Sequence, residues 1–184
     1  LDDMNSSPAS PGTPTPSVAR YDVIDAVVGL APDDALFAIR HTRQKISDAT
    51  QNSYDLFFSP AGQGLAIRDR LRVAWYACVL SRATGLAQHY RAALARHDGD
   101  PAIDAAVAAD RLDDLEPSNL KAMLAFTRKL IVKPVEGDQA QIDQLQAAGM
   151  TAADIVTLAQ LIAFLSYQIR VTAGLQAMKA LESQ

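Results

Sequence analysis

Cys78 and His89 are the side chains in this 184-residue chain whose types best suit bond-making or proton transfer. Cys78 is the only cysteine, and a stabilised, accessible thiolate there would attack a peroxide. Its position argues for a structural role instead: Leu71, Ala74, Trp75 and Cys78 recur at the i, i+3, i+4, i+7 spacing of one buried helical stripe. Apolar burial raises a thiol pKa and excludes oxidant, and Trp75 reads as a core anchor. His89 has two readings, a general base or ligand-holding imidazole and a histidine satisfied by a polar neighbour. On one continuous helix the two groups would stand roughly 16 Å apart, at about 1.5 Å per residue. Direct proton transfer between them therefore needs a bend in residues 81–85.

The remaining candidates are weaker. His41 and His97 are not at metal-ligand spacing with His89 and read as surface or capping residues, so no metal is expected. Tyr90, Tyr167 and Arg170 suit either a polar pocket near His89 or, for the tyrosines, the core. No Gly-rich phosphate loop and no Ser-His-Asp arrangement can be assembled from the sequence, and no cofactor is expected. Arg68, Arg70 and Arg72 surround Asp69 at helical spacing and read as a solvated face with local ion pairs. With a net charge of −4 and scattered basic residues, a nucleic-acid surface is not expected.

These residues need a helical scaffold. A composition of 49% hydrophobic and 21% charged residues suffices for one ordinary core. The single cysteine excludes an intrachain disulfide, and cytoplasmic residence is expected. Residues 1–19 are rich in Pro, Ser and Thr, lack the pattern of a secretory signal, and read as a flexible tail before one domain over 20–184. The run 155–164 is too short to cross a bilayer, so no membrane span is expected.

Nearly every later segment has a helical period. Residues 21–30 form a short amphipathic element, and Asp33 and Asp34 open a helix that reaches Gln51 or beyond. Ser59 to Gly64 is a loop. A break over 81–85 precedes a helix with Leu86, Tyr90, Ala93 and Leu94 on its apolar side, and Gly99 with Pro101 marks its end. Residues 102–109 are an alanine-rich helix, Pro117 opens another that Pro134 ends, and 138–148 form a short one closed by Gly149. Thr151 and Asp154 cap a long last helix running towards Ala180. That helix is apolar on several sides, more than a small domain can cover, so an oligomer is expected.

The segment from Leu71 to Tyr90, with the blocks at 124–130, 143–156 and 161–175, resembles the alkylhydroperoxidase D and carboxymuconolactone decarboxylase superfamily, in its peroxidase-related branch. The resemblance covers roughly residues 30–180 and implies an all-α, AhpD-like helical bundle. The superfamily motif is Cys-x-x-Cys-x-x-x-His. Placing His89 on its histidine puts Gly85 and Arg82 where the two cysteines would stand. The acidic residue often found twelve positions before the first cysteine would fall at Arg70, with Asp69 beside it. In the last block Tyr167-Gln-Ile-Arg170 replaces a Tyr-x-Asn-Arg-like sequence.

The implied chemistry is antioxidant, peroxiredoxin-like reduction of hydroperoxides, in which one thiolate attacks and the second thiol resolves the sulfenic acid. Both sulfurs are missing from the motif, so that activity is expected to be lost or altered. Two alternatives stand beside it. One is proton transfer on a small carboxylate, as the decarboxylase branch implies, with His89 as base and Arg82 and Arg170 as carboxylate binders. The other is a non-catalytic homo-oligomer or a partner subunit of a cysteine-containing paralogue.

Overall fold

The computed structural model describes residues 21–60, 64–97, 99–116, 118–136 and 138–182; the 1–19 tail, Pro117 and part of the 59–64 loop lie outside them. Among the described residues nine α-helices follow in order: α1 Val23–Val28, α2 Ala35–His41, α3 Gln44–Phe57, α4 Ile67–Leu80, α5 Thr84–Leu94, α6 Pro101–Ala108, α7 Asn119–Val132, α8 Gln139–Ala147 and α9 Ala152–Glu182. No strand occurs among the described residues.

Local chemistry sets most of the boundaries. Asp22 caps α1 by accepting from the amides of Ile24 and Asp25 at 2.8 and 3.0 Å, and Gly29 ends the helix at φ 74°. At α9, the Thr151 hydroxyl accepts from the Asp154 amide while the Asp154 carboxylate accepts from the Thr151 amide, each at 3.2 Å. The single helix expected from Asp33 towards Gln51 is instead two. It breaks at Thr42 and Arg43, where Arg43 leaves helical geometry at φ −110°, ψ 71°. The break lets Arg40 and His41 at the end of α2 turn back onto the carboxylates of α1.

The centre of the bundle is α4, packed against α5, α6, α7 and α9. Its 70–78 stretch is buried on every side, with the expected stripe of Leu71, Ala74, Trp75 and Cys78 inside it. The expectation of a solvated arginine face does not hold. Arg70 is 4% exposed and Arg72 1% exposed. Arg70 donates to the Phe57 and Ser59 carbonyls at 2.5 and 3.1 Å, tying the end of α3 to α4. Arg72 pairs with Asp104 of α6 at 3.1 Å and lies 3.7 Å from Asp69. Their stems cross apolar surface while their heads reach acceptors on neighbouring elements, which makes burial tolerable for a charge.

The last helix, α9, has 31 residues and is long and apolar enough, by length and composition, to cross a membrane. The expectation drawn from 155–164 alone therefore understated it. In this fold one stripe of α9, through Ile155, Leu158, Leu161, Ile162 and Leu165, is buried in the main core. Near its end Leu175 packs with Ile24, Val28, Leu30 and Leu36 in a second, smaller cluster. Other apolar side chains of the helix, Val156, Met178 and Leu181, remain exposed.

Replacing Asp104 with Ala leaves Arg72 inside the bundle with only the distant Asp69. The expected loss is roughly 2 kcal/mol, below the ~3–5 of a fully buried pair because Asp104 is partly solvated. Arg72→Met is expected to be much milder, and urea denaturation of the two variants checks the order.

Candidate functional site

The α4–α5 corner is built from a helix end that strains its own backbone. The Ala83 amide donates to the Cys78 carbonyl at 2.9 Å and the Arg82 amide to the Val79 carbonyl at 3.1 Å. This paired pattern normally ends on glycine in the left-handed region. Here Arg82 takes that position at φ 55°, a conformation that costs a non-glycine residue about 1 kcal/mol. The Arg82 side chain is exposed and has no carboxylate partner among the described residues. Helix α5 starts two residues later, with Ala83 before it and no side chain capping its amides.

Gly85, which the resemblance aligns with the second motif cysteine, meets a close neighbour on α1. A Cβ there would sit 2.9 Å from Val27 Cγ1 of α1 and 3.8 Å from the Val27 carbonyl oxygen. Real Cβ atoms essentially never approach so closely, so any side chain at 85 must displace α1 or turn Val27. A cysteine there would meet the Val27 side chain of α1 at its Cβ.

Cys78 is 0% exposed, and burial pushes its thiol up to about 12. The nearby Tyr90 is also fully buried, and its hydroxyl donates to Gln168 Oε1 at 2.5 Å. Burial first, and then the proximity of Cys78, hold the Tyr90 pKa well above its ordinary value. His89 is half-buried on α5, with Nε2 2.8 Å from the Tyr54 hydroxyl of α3. Burial, followed by the charge of Arg96, lowers the His89 pKa, while burial and then Tyr21 raise Tyr54 to about 12. Both groups are thus held neutral, a protonated phenol against an uncharged imidazole, and the tautomer of His89 sets which of the two donates. Phe58 and Tyr90 complete an aromatic cluster around this pair.

The other sequence candidates do not converge on His89. Tyr167 meets the same helix α3 one turn from Tyr54, with its hydroxyl 3.3 Å from Thr50 Oγ1, and lines a separate cleft with Ile46 and Ser53. Arg170 is exposed, and Asp69 and Arg70 stand at the opposite end of α4 from the Arg82 corner. Of five clefts formed by the described residues, none is lined by both His89 and Arg82, and Cys78 lines none of them.

Sequence reasoning missed a polar cluster at the other side of α1. His41, expected at the surface, is half-buried with Nε2 2.8 Å from Asp25 Oδ2 and Nδ1 3.1 Å from Ser47 Oγ. Arg40 also grips Asp22 at 2.9 and 3.0 Å and Asp25 at 3.1 Å. An Asp-His-Ser series thus exists that no spacing in the chain announces, because its members come from three helices. Its serine is poorly placed to act as a nucleophile: Ser47 is buried and its hydroxyl donates to the Gln44 carbonyl at 2.9 Å. Its role is to pin α1, α2 and α3 together.

Known structures share this architecture. A peroxidase-related protein from Silicibacter sp. TM1040, described as uncharacterized, superposes with a TM-score of 0.65 at 19% identity, over 83% of this chain and 78% of that one. An alkylhydroperoxidase AhpD core, likewise an uncharacterized peroxidase-related protein, from Ralstonia eutropha JMP134 gives 0.64 at 21% identity, over 82% and 78%. No protein-family model and no curated protein matches the chain. The chain has the AhpD-like, carboxymuconolactone decarboxylase type of fold.

Two outcomes are expected of the site. Cys78 in the folded chain should resist an aromatic disulfide reagent and react fully in denaturant; rapid labelling of the native protein would contradict its burial. For His89 the folded pKa lies below the unfolded one, so the unfolded chain takes up the proton first. Its stability contribution is intact above about pH 6.5 and falls away as pH drops below that. Asp25, whose pKa is raised chiefly by burial, works with the opposite sign over the carboxylate range. Melting temperatures from about pH 7.5 to 5.5 should therefore fall more steeply in wild type than in His89→Gln.

Proposed function

We propose that this chain is a peroxidase-related protein on the AhpD-like scaffold that has lost dithiol hydroperoxide reduction and works as a subunit of a homo-oligomer. The observation that supports this reading is Val27 against Gly85, 2.9 Å from where a Cβ would stand at the residue aligned with the second motif cysteine. Cys78 does not replace the missing pair. Its thiol, pushed up to about 12, is almost wholly protonated at neutral pH, and no oxidant reaches it at 0% exposure. Were it oxidised to a sulfenic acid, the chain has no second thiol to form the disulfide that completes turnover.

The assembly half of the proposal rests on the surface. Val156, Tyr167, Met178 and Leu181 of α9, with Ile46 and Leu56 of α3, are between 42% and 71% exposed. Side chains of this kind gain by meeting a second copy. A cysteine-containing paralogue is the other partner that such a surface would fit.

The test is hydroperoxide consumption by purified wild type and Cys78→Ser, with a dithiol reductant, alongside light scattering on the same samples. Both proteins are expected at the buffer rate and at a mass above the 19.7 kDa of one chain. Robust turnover that disappears in Cys78→Ser would overturn the loss of activity, and a monomer at every concentration would overturn the assembly.

A further inference from the structure

The α4–α5 corner holds a small recess of about 110 Å³, lined by Ser81, Arg82, Thr84, Gly85, Thr172 and Gln176 together with apolar neighbours. No carboxylate contributes to its wall. Every polar side chain there is able to donate a hydrogen bond, and one is a permanent cation. The recess stands on its own lining, whether or not thiol chemistry has been lost.

Three observations converge. The first is the amino end of α5, an 11-residue helix without a side-chain cap, where the amides of Gly85 and Leu86 have no acceptor among the described residues. Such amides, with the helix dipole behind them, attract negative charge. The second is Arg82, whose guanidinium has no ion-pair partner among the described residues although its backbone is held in the left-handed region. The third is Thr172 of α9, 3% exposed, whose hydroxyl makes no hydrogen bond among the described residues. Threonines elsewhere in the bundle avoid that cost by bonding to the carbonyl four residues back, as Thr127 does to Met123 at 2.7 Å and Thr157 to Ala153 at 2.9 Å. A buried hydroxyl without a partner among the described residues, beside uncapped amides and the Arg82 cation, is an arrangement suited to an acceptor.

We propose that this recess binds a small oxyanion, a carboxylate or phosphate group, held by the α5 amides, the Arg82 guanidinium and the Thr172 hydroxyl. The volume suits the charged head of a ligand, with any remainder of the molecule outside. Both groups share the chemistry of an anion with several acceptor oxygens, and the experiment separates them.

The experiment is amide NMR on the full chain, titrated separately with acetate and with phosphate against sodium chloride at equal ionic strength. Saturable shifts at Gly85 and Leu86 with either oxyanion, and none with chloride, are expected; the anion that saturates identifies the head group. Arg82→Gln, a change at an exposed side chain that leaves the core intact, should weaken binding about tenfold. Thr172→Val, which keeps the shape and removes the hydroxyl, should weaken it several-fold with the melting temperature preserved. Absence of saturable shifts with both oxyanions, or an affinity unchanged in both variants, would overturn the assignment.

Discussion

The approach of α1 to the amino end of α5 is the contact from which the character of this molecule derives. It closes on Gly85 so tightly that a Cβ would lie 2.9 Å from Val27. The position of Val27 is in turn fixed by the polar network on the far side of α1. Asp22 and Asp25 hold Arg40 and His41, and the Val23 amide donates to Gln51 Oε1 at 2.9 Å. These bonds hold the backbone of α1 in place, so a side chain at residue 85 must be met mainly by turning Val27. A glycine at 85 is thus the packing consequence of where the first three helices sit.

The same economy runs through α4. Its buried stretch places Cys78 in the core, where the thiol stays protonated, and carries Arg70 and Arg72 inward to carbonyls and carboxylates of neighbouring elements. Trp75 accepts the Arg91 guanidinium over its ring at 5.8 Å, joining α4 to α5 a second time. A helix so completely enclosed is a poor place for a reactive thiol and a good one for a fixed reference against which α5, α7 and α9 pack.

The helical architecture was readable because apolar periodicity and capping residues are local signals. The stripe through Leu71 and Cys78, the corner after Leu80 and the Thr151 cap appear where the residue spacing puts them. The features that were not readable depend on distant partners. Arg70 and Arg72 look like surface charges until the end of α3 and Asp104 are seen beside them. The break between α2 and α3 has no glycine or proline to mark it. It arises from Arg40 and His41 reaching residues about fifteen positions back in the chain, a tertiary pull that overrides helix propensity. Around His89, the Tyr54 hydroxyl comes from 35 residues away. The motif register marks His89 as a candidate but says nothing of the phenol that occupies its Nε2.

The most direct measurement is to restore the sulfurs with Arg82→Cys and Gly85→Cys together, with Val27 kept or trimmed to Ala, and to count free thiols after mild oxidation. If α1 excludes a side chain at residue 85, the pair with Val27 in place should be destabilised and fail to close a disulfide cleanly, and trimming Val27 should improve both. Ready disulfide formation with hydroperoxide turnover while Val27 is intact, at undiminished stability, would contradict the claim that packing has closed the thiol site.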